Sequence, residues 1–362
     1  MMIWILLSML LVSILINRLF LQRSILSFRY YLEPQTMTAE IGQPIEIHSV
    51  VENHKQLPVS HVELQEQYPD GLGGKVYRTS LYVRGFERVK RRHEVIPTER
   101  GLHRIDFGRL IIGDFLGFAR DFRRYPLSKS WVVYPEKIEL REHVVPVDST
   151  MGELSVRRWI MPDPIMIRGI REYTGVEAQK SIHWPSSLRQ GRLMVKEFDF
   201  TADQSCLILV NIQTSPPTWE KPRADLIEQN IKLARALAHE LETEAIPFGM
   251  MSNAYNYLDP HQRGYTVHAG LGEAHMAEVL DMLGRIDYKV GMGFQGLLRD
   301  IQTQAMSQLT VVIMTPIILA GYLEELRLLA AKVSRVVVFT LTDDHIQQLP
   351  GNIEVYQGVF DA

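Results

Sequence analysis

The residues best suited to chemistry crowd into positions 157–198. Asp163-Pro164-Ile-Met-Ile-Arg168-Gly-Ile-Arg171-Glu172-Tyr173-Thr-Gly175 is followed by Ile182-His183-Trp184-Pro-Ser186-Ser187-Leu-Arg189-Gln-Gly191-Arg192-Leu193-Met-Val195-Lys196. Convergence of Asp163, Glu172, His183 and Arg189 would supply an acid, a base and an anion clamp. Eight Lys/Arg face four Asp/Glu across 157–198, an excess that suits a phosphate or an acidic partner surface. The competing reading, which we favour, pairs these arginines with carboxylates of the flanking domains, because arginine suits partly buried ion pairs. Asp163-Pro164 reads as a turn initiator, and Ile182 with Trp184 is expected to anchor a strand or loop in apolar surroundings.

Other candidates carry less. Gly291-Met-Gly293-Phe-Gln-Gly296 has the spacing of a dinucleotide loop, but no acid stands about twenty residues on, so it reads as a connection. Thr342-Asp343-Asp344-His345 offers a carboxylate–histidine pair, with capping of a short helix as the favoured alternative. His239-Glu240 lacks the second histidine of a zinc-binding helix, and no Gly-x-Ser-x-Gly elbow occurs. Cys206 is the one cysteine, which excludes an intrachain disulfide and a multi-cysteine zinc site. It lies in an apolar run, where a thiol behaves as a small hydrophobe.

The elements that must position these residues follow from patterning. With 362 residues, two or three globular units are expected. A balance of 39 basic and 42 acidic residues excludes a general polyanion binder, and no nucleic-acid partner is expected. Residues 30–140 alternate with period two (Ile45, Ile47, Ser49, Val51; Val62-Leu64; Val76-Tyr82) between turn signals at Gln43-Pro44, Pro69-Asp70-Gly71 and Gly73-Gly74, predicting an antiparallel β-sandwich. Five basic residues in Arg84–Arg92 face one acid, Glu87. They suit either anionic lipid headgroups or, as we favour, one solvated strand face.

After about Ser205 the pattern changes. Cys206–Val210, Leu309–Met314 and Val336–Thr340 are short, continuous, largely β-branched runs that suit strands buried on both faces. Ile227, Ile231, Ala234, Ala238 and Leu241 draw one helical stripe, and Ala274–Leu283, Leu297–Ala305 and Ile318–Ala331 are helical in pattern as well. Alternating strands and helices predict a three-layer α/β domain over 201–362, with 141–200 as the connecting segment.

Residues 1–23 predict an uncleaved transmembrane anchor. Counting to Leu21 gives about 31 Å of helix against a core of roughly 30 Å, with Arg18 free to snorkel. Arg18, Arg23 and Arg29 follow the span before the first acid, Glu33. The positive-inside rule then predicts a single-pass protein of the cell membrane with its soluble domains in the cytoplasm.

The Asp163–Lys196 stretch resembles the signature of the membrane-anchored family called "domain of unknown function 58". On that resemblance Asp163, Arg168, Tyr173, Gly175, His183, Trp184, Ser186, Ser187, Arg189 and Lys196 are its signature residues. Val176 stands where an acid is usual, and Pro185 replaces a frequent lysine. The resemblance implies an α+β multidomain chain: transmembrane helix, antiparallel β-sandwich, then a von Willebrand A-like (Rossmann-like) α/β domain. It also implies a MoxR-type AAA+ ATPase as partner.

In the von Willebrand A fold the first strand ends in Asp-x-Ser-x-Ser, which holds Mg²⁺. Here it ends Asn211-Ile-Gln213-Thr-Ser215, and a later strand ends Met314-Thr315 without an aspartate. A hard cation wants carboxylate ligands, so Asn211, Gln213, Ser215 and Thr315 are expected to form a degenerate, empty site. The expectation is no cofactor and no catalysis: a membrane-anchored interaction module for maturation of envelope or membrane complexes. The alternatives are an enzyme built on Asp163, His183 and Arg189, and an extracytoplasmic binding module.

Overall fold

A computed structural model describes residues 2–26, 28–113, 119–147, 167–173, 182–198, 206–216, 221–259, 261–304 and 309–360. Two compact units divide the chain: Met1–Glu136 with Leu280–Asp287, and Lys137–Val279 with Tyr288–Ala362.

The first unit opens with helix α1 (Met2–Leu26), 25 residues without a break. Its described apolar side chains are exposed, among them Ile3 at 74%, Trp4 at 77% and Leu11 at 65%. Among the described residues no helix is long and apolar enough to cross a membrane. Within α1 the side chains are described continuously only over residues 7–19.

Two sheets follow. Strands β1 (Phe28–Pro34), β3 (Ile45–Asn53) and β6 (Arg88–Val95) pair antiparallel in the order β1-β3-β6. The second sheet runs β2-β8-β7-β4-β5, with β2 (Thr38–Ala39), β4 (Val59–Gln67), β5 (Val76–Val83), β7 (Gly101–Gly113) and β8 (Arg120–Val133). Their inward positions, among them Ile47, Val51, Val62, Leu64, Leu110 and Trp131, form one buried cluster. Period-two alternation therefore yields the expected antiparallel β region. The Pro69–Gly74 turn signal becomes a 3-10 turn over Asp70–Leu72 that exits through Gly73 and Gly74 at φ of 86° and 61°, a region that favours glycine. The basic run on β6 is a solvated, paired face: Arg88 and Lys90 reach Glu33, and Arg92 reaches Glu46 and Glu94.

The second unit carries a seven-stranded sheet in the order β14-β13-β12-β15-β16-β17-β9. Strands β12 (Cys206–Val210), β13 (Phe248–Ser252), β15 (Thr310–Thr315), β16 (Arg335–Thr340) and β17 (Ile353–Gly358) are mutually parallel. The edges, β9 (Val144–Pro146) and β14 (Tyr265–Gly270), run antiparallel. Every residue of β15 is buried, as a continuous apolar run between helical layers requires. In sequence order the parallel strands stand 2-1-3-4-5, so the connections reverse direction between β12 and β15.

Helices α4 (Ala224–Thr243), α5 (Glu273–Arg285), α6 (Phe294–Gln304) and α7 (Leu323–Ala330) alternate with these strands. The stripe Ile227, Ile231, Ala234, Ala238 and Leu241 is buried throughout. Residues 318–331 do not form one helix: a 3-10 turn at Ala320–Tyr322 precedes α7. Residues 144–146 leave the connecting segment to close the sheet edge, preceded by the short helix α2 (Leu140–His143).

Candidate functional site

Ligand sites in open α/β sheets sit at the carboxyl ends of strands where the strand order reverses. Here that place lies between β12 and β15, and the first residue past β12 is Asn211. The sequence singled out Asn211, Gln213 and Thr315, and the structure brings all three together. Asn211 Nδ2 donates to Thr315 Oγ1 at 2.9 Å and to the Gln213 carbonyl at 3.4 Å. Asn211 Oδ1 accepts from the Gln213 backbone N–H and from Asn253 Nδ2, both at 2.9 Å. A side-chain amide has two donors and two lone pairs, so all four are committed.

The neighbours close the network. Thr315 Oγ1 donates to the Ile317 carbonyl at 2.8 Å. Asn253 Oδ1 accepts from Ile212 N–H at 2.9 Å. Gln213 reaches sideways, its Nε2 donating to the Ser215 carbonyl at 2.9 Å and its Oε1 accepting the first N–H of α6, that of Phe294, at 3.1 Å. Asn230 on α4 donates to the Asn211 and Met314 carbonyls at 2.9 and 3.2 Å. Asn211 and Asn253 are fully buried, and Thr315 and Asn230 are 1% exposed. Ser215 sits half-buried at the rim and contributes its carbonyl.

This set does not fit the Mg²⁺ that the fold resemblance implies. The side-chain oxygens of Asn211 and Thr315 are already hydrogen-bonded, and Asn211, Gln213, Ser215 and Thr315 supply no carboxylate. Among the described residues no three His, Cys, Asp or Glu side chains gather as a metal set. Two buried polar atoms beside the network make no hydrogen bond among the described residues, Asn230 Oδ1 and the Tyr322 hydroxyl. Burial raises the Tyr322 pKa, with Asn211 opposing the shift.

The described part of the Asp163–Lys196 stretch is a small paired motif. Strands β10 (Ile167–Glu172) and β11 (Met194–Phe198) run antiparallel, and helix α3 (Trp184–Gln190) precedes β11. His183 caps α3: its Nδ1 lies 2.8 Å from Ser186 Oγ and accepts from Ser186 N–H at 3.3 Å. Ser187, 7% exposed, ties the helix to the strand by accepting from Met194 N–H at 2.9 Å and donating to the His183 carbonyl at 3.0 Å. Gly191 ends the helix in the left-handed region, at φ 64°. Tyr173 N–H donates to the Leu193 carbonyl, and Glu172 pairs with Arg192 at 2.9 Å on the surface.

Arg189 is exposed in the last turn of α3. Arg168 and Lys196 lie in β10 and β11, their side chains outside the described residues; Asp163 and Gly175 lie outside them altogether. Trp184 corrects the sequence reading. Ile182 is buried as expected, but Trp184 is 59% exposed and Leu188, one turn on, 82% exposed. The short helix turns Ser187 inward, which leaves positions 184 and 188 together on its outer face.

The remaining motifs are structural. The Gly291–Gly296 loop folds onto the end of β13, with Gly291 N–H donating to the Asn253 carbonyl, and a Cβ at Gly291 would lie 2.9 Å from the Ala254 carbonyl oxygen. His345, at φ 57°, precedes a 3-10 turn over Ile346–Gln348, and its Nδ1 lies 3.0 Å from the Ile318 carbonyl. No side-chain cap closes that turn, so the expected capping is absent and a backbone bond from Ile346 N–H to Asp343 replaces it. Burial pushes the Cys206 thiol up to about 12.

One polar cluster escaped the sequence reading. Glu66 on β4 is 1% exposed. It accepts from Tyr30 at 2.5 Å, from Tyr68 at 3.1 Å and from Ser49, and it pairs with His93 Nε2 at 3.1 Å. Tyr30, Ser49 and His93 belong to the three-stranded sheet and Glu66 to the five-stranded one, so the cluster bridges the two sheets. Burial pushes the Glu66 carboxyl up, but His93 and the Ser49 and Tyr30 hydroxyls outweigh it and hold the group below the usual carboxylate range. The signal was present: Val62, Leu64, Glu66 and Tyr68 share one parity, so an acid stood on the inward face.

No protein-family model and no curated protein matches the chain. Among solved structures it is similar to the CARDB domain of the PF1109 protein from Pyrococcus furiosus, solved in complex with di-metal ions. The identity is 11% and the TM-score 0.22, over 29% of this chain and 91% of that one. At that score the likeness carries no argument. The chain's own geometry makes it a mixed α+β protein, with an antiparallel β region and a largely parallel, Rossmann-like sheet flanked by helices.

Proposed function

We propose that this protein is a membrane-anchored, non-enzymatic interaction module that works with a MoxR-type AAA+ ATPase in the maturation of envelope or membrane complexes. The observation that carries the reading is the commitment of every polar atom of the Asn211 side chain within the protein. With the Asn211 side chain so committed and no carboxylate among Asn211, Gln213, Ser215 and Thr315, the strand tip suits neither a hard cation nor acid–base chemistry, and its outer surface is left for protein contact. The partner class comes from the signature resemblance.

The anchor reading rests on the apolar sequence of residues 1–23 and on the length of α1, while no described stretch of helix is by itself long and apolar enough to cross a membrane. Twenty-five residues rise about 37 Å, more than the roughly 30 Å hydrocarbon core. The segment contains two arginines and no acid, and its described apolar side chains are exposed. Arg18, Arg23 and Arg29, which follow the largely apolar run Met1–Ile16, favour cytoplasmic soluble units.

The test is affinity capture of the tagged full chain from detergent-solubilised membranes. Retention of a AAA+ ATPase, weakened by Trp184→Ala with Leu188→Ala or by changes around the strand tips, supports the reading. A partner set without any such ATPase overturns it.

A further inference from the structure

We propose that the β7–β8 hairpin is a binding site for anionic phospholipid headgroups beside the root of α1; this rests on the membrane-anchor reading above. The hairpin is long, with strands of 13 and 14 residues. Toward its tip the register sets Arg109 opposite Arg124, Ile111 opposite Phe122 and Gly113 opposite Arg120. Two arginines directly opposite one another repel, a costly arrangement for a strand pair that faces only water.

Elsewhere in this unit such charge is neutralised by carboxylates, as Glu33, Glu46 and Glu52 do for β6. Among the described residues, no ion pair involves Arg109, Arg120, Arg123 or Arg124. Aromatic rings take that place. The Arg124 guanidinium lies 5.0 Å from the Phe107 ring and Arg109 lies 5.2 Å from Phe122, whereas Arg123, on the other parity of β8, is held by the buried Tyr125. Phe107 and Phe122 are themselves 45% and 56% exposed. The Arg109 and Arg124 guanidinium groups, laid on exposed rings, keep their N–H edges free for phosphate oxygens.

Location selects the source of the phosphate. The Tyr125 hydroxyl donates to the Phe28 carbonyl at 3.0 Å, two residues past the end of α1, and α1 touches both β7 and β8. A helix seated in the bilayer therefore holds this basic, aromatic hairpin at the headgroup level, where anionic lipids concentrate arginine and exposed rings reach the acyl boundary.

The test uses the full chain with Phe122→Cys carrying an environment-sensitive fluorophore, reconstituted into nanodiscs of phosphatidylcholine alone or with about 30 mol % phosphatidylglycerol. Carbonate-resistant flotation with vesicles of the same lipids reads α1 separately. The expected result is full flotation in both lipids, and a blue shift only with phosphatidylglycerol. Salt at about 0.5 M reverses that shift, and Arg109→Gln with Arg124→Gln abolishes it without changing the melting midpoint. Full flotation with identical emission in the two lipids overturns the hairpin site and leaves the anchor standing. Failure to float overturns both. A shift produced equally by RNA or an acidic protein in phosphatidylcholine discs assigns the surface to another anion and also overturns the proposal.

Discussion

Replacing Glu66 by alanine removes one acceptor from four groups at once: the hydroxyls of Tyr30, Ser49 and Tyr68, and the His93 imidazole. The site is dry, with Glu66 1% exposed, Tyr30 4% and Tyr68 1%, so water cannot replace the lost acceptor without parting the two sheets. Breaking a buried pair by deleting one partner costs about 3–5 kcal/mol, and Glu66→Ala belongs in that range. Glu66→Gln keeps the shape and an acceptor oxygen but turns an amide N–H₂ toward groups that donate, for about 1–3 kcal/mol.

The pH dependence has a fixed sign. The folded pKa of Glu66 lies below its unfolded value near 4.3. Its contribution is complete above about pH 5 and is lost as pH falls through the unfolded and then the folded value. Glu66→Gln lacks this component, so its stability profile is flatter than the parent's over that acid range. Urea denaturation of the detergent-solubilised chain, followed by the fluorescence of Trp131, measures both effects. Trp131 is fully buried and its ring centroid lies 6.3 Å from that of Tyr68; Trp4, Trp159, Trp184 and Trp219 are first replaced by phenylalanine. A Glu66→Ala cost within about 0.5 kcal/mol, or parallel acid profiles for parent and Glu66→Gln, would refute the reasoning.

Asn211→Asp restores the acid of the metal-binding pattern, yet it removes two donors and buries a charge, so it is expected to cost about 2–5 kcal/mol without relief by Mg²⁺ in a thermal shift. Cys206, its thiol pushed up to about 12, is expected to resist iodoacetamide at neutral pH in the folded chain and to react in denaturant; mass spectrometry after a timed pulse reads the difference. Ser187→Ala is expected to destabilise the signature motif by about 1–2 kcal/mol, because Met194 N–H loses its partner. Trp184→Ala, at an exposed position, is expected to stay within about 0.5 kcal/mol by the same denaturation measurement.

The sequence disclosed elements wherever burial writes a period. Cys206–Val210, Thr310–Thr315 and Arg335–Thr340 are legible because a strand covered on both faces is apolar throughout. Phe248–Ser252 was not, since a glycine and two methionines carry no β-branched signal. Val144–Pro146 was not either: three residues become a strand only through pairing with Ile353–Gly358, more than 200 positions away.

For the site, the amide in place of an acid at Asn211 was readable as a change in chemistry. Its closure was not, because Asn230 and Asn253 reach it from other elements and carry no motif. Trp184 was misread because aromatic character argues for burial, whereas a two-turn helix buries one face, and Ser187 occupies it. Glu66 belongs to no motif; its only mark in the sequence is an acid on the inward parity of β4, shared with Val62, Leu64 and Tyr68.

The central claim is that the tip of β12 is closed by its own hydrogen bonds and does not grip a cation. Titration of the full chain with Mn²⁺, followed by the electron paramagnetic resonance signal of the free ion, tests it most directly. The account predicts a free-ion signal at equimolar protein and metal equal to that of buffer, for the parent and for Asn211→Ala alike. Capture of one Mn²⁺ per chain at micromolar concentration, released by Mg²⁺ and lost in Asn211→Ala, would contradict it.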